Sequence, residues 1–233
     1  MKFTFLLIGA SLAVGLWSQT SPNQDHAKMH PSEAGKGVAT GGHMDRHFDD
    51  AEQWAKQFDD PKRDQWQMPE KVIAALKLKH GQKVADIGAG TGYFTVRLAK
   101  SSAKPNVFAV DIEASMVDYI KKRAANERLT NITAIQATPD SPKLPEPMDL
   151  IFIVDTYHHI PNREAYFRSL AASLKPRGQL AIIDWKLGGP MGPPDAFRFT
   201  PEQIAKELAH SGFKRTKHHD FLPNQHFQIF TLK

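Results

Sequence analysis

The stretch Val84-Ala85-Asp86-Ile87-Gly88-Ala89-Gly90-Thr91-Gly92-Tyr93-Phe94 decides the fold. It reads as a buried strand ending in an acid, then a glycine turn, then the start of a helix. Glycines at 88, 90 and 92 permit positive φ and let a ligand approach the backbone at the mouth of that helix. A second apolar strand, Val107-Phe108-Ala109-Val110-Asp111, is again closed by an acid. An acid at the tip of the neighbouring strand is placed to accept hydrogen bonds from a ribose diol. Together the strands imply a ligand that contains a nucleoside.

The glycine spacing narrows that ligand. A dinucleotide turn has the form G-x-G-x-x-G, with the helix N-terminus facing a pyrophosphate. Here the form is G-x-G-x-G, and Asp86 stands two residues before the first glycine, where a carboxylate repels a pyrophosphate and suits an ammonium or sulfonium. On residues 84–92 and Asp111 the chain resembles the class I S-adenosylmethionine-dependent methyltransferases. The resemblance implies S-adenosyl-L-methionine as cofactor, with Asp86, Gly88, Ala89, Gly90 and Thr91 around its amino-carboxypropyl end. It implies Asp111 on the ribose hydroxyls and Ile112 and Met116 against the adenine, a methionine at 116 serving equally well as helix core. Many members follow the third strand with Gly-Asp-Ala, whose aspartate binds the adenine amino group. This chain has Gln136-Ala137-Thr138-Pro139-Asp140 instead, so Asp140 from a shifted position, or Thr138, takes that role.

Working outward, strands are expected at 83–87, 106–111, 131–136, 149–155 and 179–184, with helices between them. Pro69 at a first turn and Gly81 past the end bracket a helix through Val72, Ile73, Leu76 and Leu78. Asn162 is a candidate cap for a helix that turns Tyr166, Phe167, Leu170 and Leu174 inward and stops at Pro176-Arg177-Gly178. Thr200-Pro201-Glu202-Gln203 is a capping box, and Gly212 ends its helix. The last strands, about 213–220 and 225–232, are joined by a link too short for a helical crossover and must pair antiparallel. The fold class is therefore α/β: a doubly wound, mostly parallel seven-stranded sheet closed by an antiparallel hairpin, the Rossmann-like methyltransferase arrangement. The resemblance spans about residues 69–233. Aromatic residues at 48, 54, 58 and 66, spaced by charged ones, suggest a helical lid over this domain.

Ligands of open α/β sheets bind outside the carboxyl ends of the strands. Strand four ends in Asp155-Thr156-Tyr157-His158-His159, where methyltransferases place the residues nearest the transferred methyl. Asp155, Tyr157, His158 and His159 are the candidate catalytic residues, either histidine serving as general base where the acceptor must lose a proton. Asp184 and Trp185 end strand five as candidate pocket walls, with the 188–194 loop as a flap.

Lys2 and the apolar run over 3–17 form a signal peptide or an N-terminal anchor (1–20), followed by a polar linker (21–44) and the methyltransferase domain (45–233). Export to the periplasm or beyond is expected; the run is too short for a stable membrane span. Zero cysteines remove disulfides, thiol catalysis and cysteine-based arsenic methylation. His26, His30, His43 and His47 lack acidic or thiol partners at fixed spacing, so no metal site is expected. A net charge of +5 is scattered rather than gathered into a basic stripe, which argues against nucleic acid and for a small-molecule acceptor. A non-catalytic exported protein that keeps the fold and binds a cofactor or partner is the alternative.

Overall fold

The computed structural model describes residues 47–233. The signal peptide or anchor and the linker lie outside the described residues. Seven strands form one sheet: β1 (Lys83–Ile87), β2 (Asn106–Asp111), β3 (Ile132–Gln136), β4 (Met148–Val154), β5 (Leu174–Trp185), β6 (Phe213–His219) and β7 (Gln225–Leu232). Their spatial order is β3-β2-β1-β4-β5-β7-β6. The strands β1 to β5 pair in parallel, and β7 runs antiparallel to both β5 and β6. Strand order reverses between β1 and β4, which sets the ligand crevice at their carboxyl ends.

Among the described residues seven α-helices accompany the sheet: α1 (Ala51–Phe58), α2 (Arg63–Gln67), α3 (Pro69–Leu76), α4 (Tyr93–Lys100), α5 (Ala114–Asn126), α6 (Arg163–Ala171) and α7 (Pro201–His210). Both sheet faces are covered, so the central strands read as unbroken apolar runs. One face packs Ala85, Ile151, Ile153 and Ile182 under Phe167 and Leu170 of α6 and Ile204 and Leu208 of α7. The other packs Val84, Phe152 and Ile183 under Val72 of α3 and Phe94 and Leu98 of α4. Phe152 is fully buried and meets Phe94 edge to face, with ring centroids 5.1 Å apart.

Local signals fix most boundaries. Pro69 starts α3, and Lys77 in the left-handed region (φ 51°) ends it, so Leu78 falls outside the helix. The Thr200 hydroxyl accepts from the Gln203 N–H while the Gln203 side chain accepts from the Thr200 N–H, a complete capping box for α7. Further differences from the sequence reading lie around α6. Asn162 makes no side-chain cap; it turns the chain into α6 through a left-handed backbone, φ 44°. That helix stops at Ala171, not at Pro176. Leu174 pairs with Met148 and begins β5, with a register shift before Leu150 meets Gln179. Gly178 is required there, since a Cβ would lie 3.0 Å from the Lys175 and Met148 carbonyl oxygens.

Phe152→Ala should destabilise the domain by about 3–5 kcal/mol, as emptying a packed aromatic site does. Thr200→Ala should cost about 1 kcal/mol, the worth of an N-cap. Urea unfolding of both variants measures the contrast; equal losses would contradict this placing of the core.

Candidate active site at the carboxyl ends of β1, β2, β4 and β5

The glycine turn leaves β1 with φ of 72°, 55° and 84° at Gly88, Gly90 and Gly92. A Cβ on Gly88 would stand 2.1 Å from the Thr156 hydroxyl oxygen, so the ends of β1 and β4 touch here and only glycine fits. The Gly88 and Ala89 N–H groups donate to the Val110 carbonyl (2.8 and 3.1 Å), which ties the turn to β2. Gly90 N–H donates to Asp111 Oδ2 (2.8 Å) and Glu113 N–H to Asp111 Oδ1 (3.0 Å). The Asp111 carboxylate is thus buried yet keeps spare lone pairs. Burial raises its pKa, against the pull of the Glu113 and Gly90 N–H groups.

Asp86 lies beneath the turn, 3% exposed, and accepts from the Thr95 hydroxyl at 2.6 Å. Burial pushes its pKa up to about 6, with Thr95 opposing. The Thr91 hydroxyl, in the middle of the turn, is buried without a hydrogen-bond partner. Two buried carboxylates beside a turn that also holds a buried orphan hydroxyl fit a ligand carrying both cations and hydroxyls. Ile112, 47% exposed beside Asp111, offers an apolar platform. Met116 is 1% exposed and belongs to the packing of α5, so it presents no surface to an adenine. Asp140 is exposed, its carboxylate held below the usual range first by the Thr138 hydroxyl at 2.8 Å.

At the end of β4 the candidate residues part company. Asp155 takes a left-handed backbone, φ 54°, that aims its carboxylate across the strand ends. It accepts from Gln225 Nε2, and Arg63 Nη2 stands 3.8 Å from its other oxygen. Gln225 in turn accepts from Gln67 Nε2 at 2.6 Å. Burial pushes the Asp155 pKa up to about 7, Arg63 opposing. Tyr157 turns the other way: it is fully buried between Phe167 and Phe199 and donates its hydroxyl to Glu207 at 2.6 Å. Its role is packing: the short 3-10 turn over Tyr157–His159 rotates each side chain by about a third of a turn from the last, so Tyr157 enters the core while His158 meets Asp184.

His158 is 3% exposed, and its Nδ1 lies 3.0 and 3.1 Å from the two Asp184 oxygens. A carboxylate only accepts, so Nδ1 carries the proton, and Nε2 is an acceptor in the neutral form of the ring and a second donor in the charged form. Burial alone would raise Asp184, but the charge and hydrogen bond of His158 outweigh it and hold the acid below its ordinary value. His159 is half-buried, its ring 4.3 Å from that of His158 and 5.8 Å edge-on from Phe48.

Residues 47–67 lie across these strand ends. The Phe48 N–H donates to Glu113, Asp59 pairs with Arg123 (2.8 Å) and Tyr93 donates to Asp64 (2.5 Å). The Phe58 ring stands 3.4 Å from the position of a Cβ on Gly90. Arg63 lies over the Tyr93 ring (4.0 Å) and donates to the Phe58 carbonyl (2.9 Å), and burial lowers its pKa. Trp66 meets Trp185, ring centroids 5.3 Å apart. Arg198 organises the expected flap: its guanidinium donates to the carbonyls of Lys186, Gly189, Met191 and Pro193. Sequence reasoning missed Arg63, Gln67, Arg198 and Gln225. Among the described residues no cluster of three or more histidines and acids is arranged to hold a metal, and no helix is long and apolar enough to cross a membrane.

The raised pKa values have a consequence for stability. Asp86 and Asp155 titrate near 6 and 7 in the fold but near 3.8 when unfolded. Above about pH 4 the unfolded chain binds fewer protons than the fold, so these groups withdraw stability as pH rises to about 7. Asp155→Asn should flatten that fall, read as urea midpoint against pH; a curve parallel to the parent's would remove the burial argument.

Residues 84–178 match the methyltransferase-domain family. A solved S-adenosylmethionine-dependent methyltransferase from Aquifex aeolicus is 28% identical, with a TM-score of 0.72 over 79% of this chain and 99% of its own. The trans-aconitate 2-methyltransferase of Rhodopseudomonas palustris is 32% identical over 57% of this chain, and the (S)-coclaurine N-methyltransferase of Thalictrum flavum is 27% identical over 52%. The chain spans 48% and 36% of the length of those two relatives. With the seven-stranded order and the acid-flanked glycine turn, the chain is similar over its sheet domain to the class I S-adenosylmethionine-dependent methyltransferases.

Proposed function

We propose that the protein transfers the methyl group of S-adenosyl-L-methionine to a small-molecule acceptor held at the ends of β4 and β5. The observation that carries this is the glycine turn flanked by two buried acids, Asp86 and Asp111, with an orphaned buried hydroxyl on Thr91 of the turn itself. When bound, the cofactor supplies a methyl group already activated by a sulfonium. Asp111 accepts from its ribose, and Ile112 backs its adenine. Asp86 and Asp155 would hold its cationic end, and Arg63 would pair with its carboxylate. The 47–67 strap acts as the lid that excludes water from the reacting atoms.

Positioning supplies most of the acceleration in a transfer of this kind. Where the acceptor atom carries a proton, Nε2 of the neutral His158 ring takes it; Asp184, on Nδ1, fixes the tautomer that leaves Nε2 bare. His159 is a wall of the same pocket through its contact with Phe48. The domain layout, with 45–233 as a lidded methyltransferase domain behind an export segment, is part of the same proposal.

Asp111→Ala should weaken S-adenosylmethionine binding by about 1.5–3 kcal/mol in isothermal titration, the loss of charge-assisted hydrogen bonds. Once an acceptor is found, His158→Ala should lower turnover by about 10²–10⁴-fold with cofactor affinity little changed. Full affinity in a folded Asp111→Ala protein would sink the cofactor reading, and full turnover in His158→Ala would make that histidine structural.

Export is proposed on Lys2 and the apolar run over 3–17. N-terminal sequencing of fractionated cells should find the mature chain starting near residues 19–22 outside the cytoplasm. Intact Met1 in the cytoplasmic fraction would overturn it.

A further inference from the structure

Four side chains close a ring between the strap, the carboxyl end of β4 and the start of β7. Arg63 Nε donates to Gln67 Oε1 at 3.1 Å, Gln67 Nε2 donates to Gln225 Oε1 at 2.6 Å, and Gln225 Nε2 donates to Asp155 Oδ1. Arg63 Nη2 stands 3.8 Å from Asp155 Oδ2, too far for a hydrogen bond. The hydrogen-bonded path from guanidinium to carboxylate therefore runs through the two amides, and both glutamines are 0% exposed.

The ends of the path fix its direction. A guanidinium only donates and an ionised carboxylate only accepts. Gln225 must then turn its NH2 to Asp155, which leaves its oxygen for Gln67, and Gln67 must turn its own oxygen to Arg63. Flipping either amide would set donor against donor or acceptor against acceptor. A buried amide costs more than an apolar side chain unless its groups are paired, and a fully paired chain of them holds one arrangement. Two such amides in series are suited to orienting a group rather than to filling space.

The group at the end of the path is Asp155. The charged groups that face it are Arg63 from α2, Asp184 from β5 and His158 from the turn after β4. Burial pushes its carboxyl up to about 7, while Arg63 and the Gln225 amide favour the charged form. The strap has other fastenings: Trp66 against Trp185, Asp59 on Arg123 and the Tyr93 hydroxyl on Asp64. What the amides set is the direction and charge of Asp155.

We infer that Gln67 and Gln225 are positioning residues, a two-amide relay that joins the strap to Asp155 and holds its carboxylate toward the cationic end of the cofactor. The identity of that ligand rests on the proposed methyl transfer; the relay belongs to the protein alone.

The test follows the Asp155 carboxyl by carbon-13 resonance in the full chain without cofactor, with Asp155→Asn identifying the signal. Gln225→Met removes the donor and should move the titration to higher pH. Gln67→Met touches neither oxygen of Asp155, yet should move it the same way, because Gln225 loses the partner that orients it. The double variant should titrate as Gln225→Met does, since residues in one chain do not add. Gln67→Asn, one methylene short of Gln225, is the milder break and should give a smaller shift of the same sign. A glutamine that only packed would lower the urea midpoint and leave the titration in place; that result, or additive shifts in the double variant, defeats the proposal. In isothermal titration Gln67→Met should weaken S-adenosylmethionine binding by about three- to tenfold, at most one hydrogen bond. A parent chain that binds no S-adenosylmethionine counts against the methyl-transfer reading and the cofactor half of this one, while the Asp155 titration decides the relay by itself.

Discussion

The Asp111 carboxylate is the tie on which the site depends. Its two oxygens take the N–H groups of Gly90 and Glu113, so one side chain holds the glycine turn of β1, the end of β2 and the entry to α5. Glu113 extends the tie to the strap by accepting from the Phe48 N–H. The geometry follows from covalent constraint: a turn with three left-handed glycines leaves amides that need an acceptor, and the neighbouring strand ends in one. The residue suited to a ribose is therefore also the residue that shapes the bed on which the ribose lies.

Three acids at the same sheet edge, Asp86 and Asp184 buried and Asp155 partly so, behave differently because their partners differ. Asp184 has a hydrogen-bonded imidazole and sits below its ordinary pKa. Asp86 has a hydroxyl and rises to about 6. Asp155 has a side-chain amide and a guanidinium at 3.8 Å, and rises to about 7. Burial acts on all of them, and what separates them is how closely a cation approaches. A pocket with one fixed anion and two poorly compensated acids attracts a cationic ligand, since that ligand supplies the missing charge. The acid nearest the proposed base is the one already compensated, so its charge serves to orient His158.

The fold was legible where local chemistry and tertiary demand agree. Apolar runs closed by Asp86 and Asp111, the glycines of the turn and the capping box at Thr200 each state their structure within a few residues. The misreading around Leu174 arose where they disagree. Helical spacing from Tyr166 through Leu174 continues past the real helix end, and only pairing with Met148 across the sheet turns Leu174 and Pro176 into strand. In the site, the acids and histidines could be read from their place at strand ends, but not which way Tyr157 faces. That is decided by Phe167, Phe199 and Glu207, which lie far along the chain. Arg63 and Gln225 were invisible for the same reason. One sits among alternating charges, the other at the start of an apolar strand, and each gains meaning only through Asp155.

The antiparallel hairpin bears on function as well as topology. A sixth parallel strand would arrive from the far side of the sheet and present its amino end away from the crevice. By reversing, β7 brings its first residues, Gln225 and His226, to the crevice edge beside Trp185 and Asp184. Gln225 then points to the α3 and α4 face, where it bonds Gln67 and Asp155, and His226 to the opposite face, where it lies behind Asp184. Alternation along a strand sends neighbours to opposite faces. Two consecutive residues thus serve two layers of the site, one joining the strap to the acid beside the glycine turn, the other standing behind the acid that holds the proposed base.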